Sequence, residues 1–127
     1  MPIRYTIDHA KRFVSVVAEG PVTLGDVLGY FDRLVIENAM PYPKLFDATN
    51  AEPQLSDEDM MVLGARVSAY AIYEPRGPIA LVGGSTETKN VLRRFMNLGR
   101  APRAAMMFSR VRDARSWLES LRDDEQK

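Results

Sequence analysis

The chain has 127 residues, 46% of them hydrophobic and 27% charged, with 17 basic side chains against 17 acidic and no net charge. That is the length of one ordinary domain, too short for a two-domain enzyme with its own nucleotide-binding half. The near-average composition excludes a disordered or collagen-like chain, and the absence of cysteine excludes disulfide frameworks, zinc ribbons, iron–sulfur clusters and thiol nucleophiles.

The opening residues Met1-Pro2-Ile3-Arg4-Tyr5 lack the apolar stretch of a signal peptide, so a cytoplasmic protein is expected. Ile3–Asp8 alternates Ile3, Tyr5 and Ile7 with Arg4, Thr6 and Asp8, which reads as a strand with one buried face. A turn at His9-Ala10-Lys11 leads to a second strand over Arg12–Glu19, and strands joined this closely form an antiparallel hairpin. His9 is the single histidine, which excludes a multi-histidine metal site. Gly20-Pro21 is read as the end of the hairpin.

Thr23, with Asp26 three residues on, is a capping-box-like helix start. Leu24, Val27, Leu28, Phe31, Leu34 and Val35 follow helical spacing, and the helix is expected to end near Asn38. Met40-Pro41-Tyr42-Pro43 is a stiff extended link, because each residue before a proline is pushed out of the helical region. Lys44–Ala48 reads as a short strand and Thr49–Leu55 as a loop. Ser56-Asp57-Glu58-Asp59 is a strong start for a second helix, which runs to about Tyr73. Met60, Leu63, Val67, Tyr70 and Ala71 share its main apolar face, with a weaker flank at Met61, Ala65, Ser68 and Ile72.

After the loop Glu74-Pro75-Arg76-Gly77, the run Pro78–Val82 is apolar on both faces. This suits a central parallel strand covered by helices on both sides, and it is far shorter than the ~20 residues of a membrane helix. Gly83-Gly84 turns the chain, and Ser85 or Thr86 caps a third helix that places Val91, Leu92, Phe95 and Met96 inward. Gly99 and Pro102 stop it. Ala104–Phe108 is the last strand, and Val111–Leu121 the last helix. The domain is read as residues 1–122 and the polar tail as 123–127. The order β-β-α-β-α-β-α-β-α implies a single α/β domain with a mixed, mainly parallel five-stranded sheet, an opening hairpin and four helices.

Charge is unevenly spread. Residues 1–85 carry 7 basic and 11 acidic groups, whereas residues 86–115 carry a balance of +6. The only aromatics in that stretch, Phe95 and Phe108, fall on an inward helix face and in a strand, so the arginine cluster is read as solvated helix surface and no nucleic-acid partner is expected.

Certain residues in this order carry a family resemblance. They are Tyr5-Thr6-Ile7-Asp8, Gly20-Pro21-Val22-Thr23, Leu45-Phe46-Asp47, Ile79-Ala80-Leu81-Val82-Gly83, and Phe108 with Arg112-Asp113-Ala114 and Trp117-Leu118. Together they resemble the SpoIIAA-like branch of the STAS and CRAL-TRIO superfamily over nearly the whole chain. The resemblance implies a small non-enzymatic domain. STAS relatives bind kinases and partner proteins and can be switched by phosphorylation, and CRAL-TRIO relatives bind lipids or other nonpolar molecules. In STAS switches the phosphoacceptor serine opens the second helix within an Asp-Ser-Ser/Thr-Gly signature. Here that place holds Leu55-Ser56-Asp57-Glu58-Asp59, so the resemblance can carry the role only to Ser56. The signature itself is missing and a phosphate there would meet three carboxylates, so Ser56 is read as a plain N-cap, with the switch as the alternative.

Other chemistry is weaker. Gly84, Ser85 and Thr86 lie between a strand and a helix, as an anion site or as a turn with a cap. Asp47 stands where open α/β sheets place ligands at a switch point, or caps its own loop. A Ser/His/Asp triad can be written from Ser56 or Ser85, His9 and Asp47, but there is no nucleophile elbow. Seven methionines, with Phe31 and the tyrosines, supply adaptable apolar surface. Met60, Met61, Tyr70, Tyr73, Phe95 and Met96 are therefore read as the face for a nonpolar small molecule, a lipid or a protein partner, including a second copy of the chain. No cofactor, metal or membrane span is expected.

Overall fold

The computed structural model describes residues 2–73, 76–97 and 104–125, with backbone alone at 71–73, 124 and 125. The elements are β1 (Ile3–Asp8), β2 (Phe13–Val22), α1 (Leu24–Ile36), β3 (Lys44–Pro53), α2 (Asp57–Tyr73), β4 (Ile79–Gly83), α3 (Thr86–Met96), β5 (Ala105–Phe108) and α4 (Val111–Glu125). They follow the order expected from the sequence. The sheet runs β1-β2-β3-β4-β5, with β1 antiparallel to β2 and every later pair parallel.

Each parallel crossover advances one strand in the same direction. Connections of one hand then place α1, α2 and α3 on the same side of the sheet. The larger core lies there, with Val14, Val16, Leu81 and Ile79 of the sheet beneath Phe31 and Leu34 of α1, Leu63 of α2 and Leu92 of α3. The other side carries α4 alone, whose Ala114 and Leu118 pack on Leu45, Ala80 and Val82. All of β4 is buried because Ile79 and Leu81 face one core while Ala80 and Val82 face the other. β3, not β4, is the middle strand.

Thr23 caps α1 as expected. The Asp26 amide donates to Thr23 Oγ1 at 3.4 Å and the Thr23 amide to Asp26 Oδ2 at 2.9 Å. α1 ends at Ile36, two residues short of Asn38, which takes φ 56° and so leaves the helix.

The main departure from the sequence reading lies in β2 and β3. β2 continues through Gly20-Pro21 to Val22, and β3 continues through the segment read as a loop to Pro53. After a bulge between Val17 and Glu19, Glu19 to Val22 pair with Asn50 to Pro53. The ladders to β1 and β4 end at Ala18 and Ala48, so neither Pro21 nor Pro53 interrupts a second ladder. α4 also runs further than expected, so Asp123, Asp124 and Glu125 of the expected tail are helical. The expected stop at Gly99 and Pro102 lies outside the described residues.

Candidate functional site

The three helices do not close completely over the sheet. Between them lies an apolar cavity of about 60 Å³, walled by Phe31 of α1, Met60 of α2, Leu92 and Phe95 of α3, and Phe46 and Ala51 of β3. Phe31 organises it. Its ring centroid stands 5.9 Å from that of Phe95 and 6.1 Å from that of Tyr70, tying α1 to both neighbouring helices. The polar Thr88 is also in the wall and is buried. Its hydroxyl donates to the Ala51 carbonyl at 3.2 Å and accepts from the Ser85 hydroxyl at 2.9 Å. With that group engaged, the cavity offers an apolar surface. One water occupies about 10–15 Å³ of such space, so the cavity holds a handful of heavy atoms and not an acyl chain.

The residues read as a binding face are divided. Met60 and Phe95 line the cavity. Met96 is half-buried against the same core. Tyr70 lies beyond it, over Phe31, and its hydroxyl donates to Asp32 Oδ1 at 3.1 Å. Arg66 donates to the Tyr70 hydroxyl at 3.3 Å and to Asp32 at 3.1 Å. The hydrogen bond that Arg66 gives to the Tyr70 hydroxyl, helped by the Asp32 charge, holds the guanidinium above its ordinary range. Met61 points away from the cavity and is 75% exposed. The side chain of Tyr73 lies outside the described residues. The sequence reading missed Phe46, Ala51 and Thr88. Ala51 falls in the segment read as loop, and no local signal marks it as a wall.

Ser56 closes a reciprocal capping box. The Asp59 amide donates to Ser56 Oγ at 3.1 Å and the Ser56 amide to Asp59 Oδ2 at 2.9 Å. Next to it, Asp57 pairs with Arg94 at 3.0 Å, linking the start of α2 to the last turn of α3. Ser56 is exposed.

Ser85, not Thr86, caps α3, its Oγ accepting from the Thr88 amide at 3.0 Å. A Cβ on Gly84 would stand 2.4 Å from the Thr49 carbonyl oxygen, so close backbone approach accounts for that glycine. Asp47 accepts from the Thr49 amide at 3.0 Å and from its hydroxyl at 2.5 Å. The strand order never reverses, so Asp47 marks no switch point, and its carboxylate holds the backbone as Asp does in turns.

His9 sits in the first hairpin turn, with Nδ1 2.9 Å from the Tyr42 hydroxyl and Nε2 3.2 Å from Glu37 Oε2. That is the end of the sheet where β3 and β4 begin, whereas Ser56 and Ser85 follow the ends of β3 and β4. The strands thus hold His9 apart from both serines, and the paper triad is not assembled.

No protein-family model and no curated protein matches the chain. Among the solved structures that match it, two do so over nearly its full length. One is an uncharacterised DUF3478-family protein from Shewanella loihica with a SpoIIAA-like fold. It is 22% identical with a TM-score of 0.58, over 91% of this chain and 93% of that one. The other is the anti-sigma factor antagonist SpoIIAA in its unphosphorylated form. It is 13% identical with a TM-score of 0.56, over 92% of this chain and 97% of that one. The fold is SpoIIAA-like. Neither structure is a CRAL-TRIO protein, so the likeness supports the SpoIIAA side of the resemblance and not the CRAL-TRIO side. Among the described residues of this SpoIIAA-like domain, no helix is long and apolar enough to cross a membrane.

Proposed function

We propose that this SpoIIAA-like domain is a non-enzymatic, cytoplasmic binding module that takes a small nonpolar molecule into the cavity beneath α1, α2 and α3. The carrying observation is the cavity itself, whose buried Thr88 hydroxyl is engaged with Ala51 and Ser85 so that only apolar surface is presented. Its volume favours a compact ligand over a lipid. The separation of His9 from Ser56 and Ser85 supports a binding role over a catalytic one. The test is thermal unfolding with benzene in solution, on the parent and on Ala51→Leu. Ala51 faces the cavity, and a leucine there fills it. The parent should gain midpoint temperature with ligand and the variant should not. Equal responses in both would overturn the reading.

A second reading, regulation through a protein partner, is favoured by the likeness to SpoIIAA and by the exposure of Ser56, Met61 and Val62. A phosphate on Ser56 would replace a hydroxyl that caps α2 and would face Asp57 and Asp59. Mass analysis of protein from its native host tests it. An increment that survives denaturation and maps to Ser56 supports the switch, and an unmodified Ser56 under all growth conditions removes it.

A further inference from the structure

The second face of the sheet is only partly covered. α4 packs across β3, β4 and β5, so the β1–β2 half of that face is left beside its flank. Between them lies a cleft of about 300 Å³, larger than the apolar cavity and on the opposite side of the sheet. Phe13 and Leu118 form its apolar floor. Its rim is charged, with Asp8 and Lys11 from the hairpin facing Arg115, Glu119 and Arg122 from α4. The spacing of the last three puts them on one stripe of the helix.

These charges are not equivalent. Arg122 donates to the backbone carbonyls of Lys11 and Arg12, the second at 2.8 Å, and its guanidinium stands 5.8 Å from the Phe13 ring centroid. It thereby holds the two walls at a fixed separation. Asp8 Oδ1 accepts the Lys11 amide at 3.0 Å. By contrast, Lys11 Nζ and the Arg115 guanidinium make no hydrogen bond or ion pair among the described residues, although both border the cleft. Three cations against two carboxylates leave the rim with one net positive charge.

We propose that this cleft binds a small organic monocarboxylate, its carboxylate held by Arg115 and Lys11 and its apolar body resting on Phe13 and Leu118. The planar fork of an arginine matches a carboxylate with two parallel hydrogen bonds. A single negative charge balances the rim, whereas a phosphate dianion would bring excess charge near Asp8 and Glu119. It would also leave the Phe13 floor bare. The site is separate from the apolar cavity and does not depend on the reading of that cavity.

The test is a titration of the full chain with benzoate, followed by amide NMR shifts, with acetate and inorganic phosphate as comparisons. Benzoate should shift the amides of Lys11, Phe13, Ser15 and Arg115 along one saturable curve. Acetate, which lacks the ring, should bind the same residues more weakly. Arg115→Gln and Lys11→Gln should each weaken benzoate about tenfold. Arg93→Gln, on α3 across the sheet, should not. The proposal is overturned if benzoate leaves those amides unmoved, or if phosphate binds them as tightly. It is equally overturned if a folded Arg115→Gln variant binds benzoate like the parent.

Discussion

Arg122 donates to the Arg12 carbonyl at 2.8 Å, joining the last helix to the first hairpin across 110 positions of sequence. The same guanidinium reaches the Lys11 carbonyl, so the turn containing Arg12 at φ 53° is gripped from outside. Hydrogen bonds from a charged donor contribute about 1.5–3 kcal/mol, less where solvent competes. Arg122→Ala should therefore cost about 1 kcal/mol, read as a lower urea midpoint at unchanged slope. An unmoved midpoint would mean that water replaces the clamp without loss.

Two glycines should respond with opposite sign. A Cβ on Gly77 would stand 2.3 Å from the Pro41 carbonyl oxygen, a backbone atom that cannot swing aside. Gly77→Ala should destabilise by about 1–3 kcal/mol through overpacking. At Gly29, inside α1, a Cβ meets nothing within 4 Å. Gly29→Ala should stabilise by about 0.5–1 kcal/mol. Denaturant curves of the two variants side by side check both signs, and a shared sign would refute the local geometry at one of them.

Ser56 has a structural duty whatever its regulation. Ser56→Ala removes the acceptor for the Asp59 amide and should cost about 1 kcal/mol. Ser56→Asp keeps an N-cap acceptor and should stay close to the parent in stability. Should Ser56→Ala melt like the parent, the capping box would carry no weight in solution.

Thr88→Val preserves shape but strands a buried carbonyl. The Ala51 carbonyl loses its donor and the Ser85 hydroxyl loses its acceptor. Leaving a buried polar group unmatched costs about 1–3 kcal/mol, so the variant should unfold correspondingly earlier in denaturant. Parent-like stability would show that the carbonyl is reached by water.

Much of the architecture is legible because it rests on periodicity. Thr23 and Asp26, the alternation of Ile3, Tyr5 and Ile7, and the doubly apolar Ile79–Val82 each have one economical structural solution. The extension of β2 and β3 is not legible, because Gly20-Pro21 and Pro53 are local stop signals. Only the early ends of β1 and β4 make them harmless. The candidate site is half legible. Helical spacing puts Met60 and Phe95 inward, yet it cannot tell which flank of α2 meets a neighbour, and Met61 is left in solvent. Lys44 is more opaque still. It is 2% exposed, with Nζ donating to the Met40 and Tyr42 carbonyls, because the segment read as an extended link instead turns, the Tyr42 amide donating to the Ala39 carbonyl at 3.1 Å.

The ribbon formed by Glu19 to Val22 and Asn50 to Pro53 also supplies Val22, Ala51 and Pro53 to the wall of the apolar cavity. Two paired strands hold less firmly than five, and such segments open at a lower free energy than the whole domain. The wall is therefore also a door. Amide exchange at Gln54, whose N–H donates to the Val22 carbonyl at 2.8 Å, should run ahead of exchange in β4. On the binding reading, a guest molecule would enter and leave at the rhythm of that fraying, each opening breaking the hydrogen bond from Thr88 of α3 to the Ala51 carbonyl.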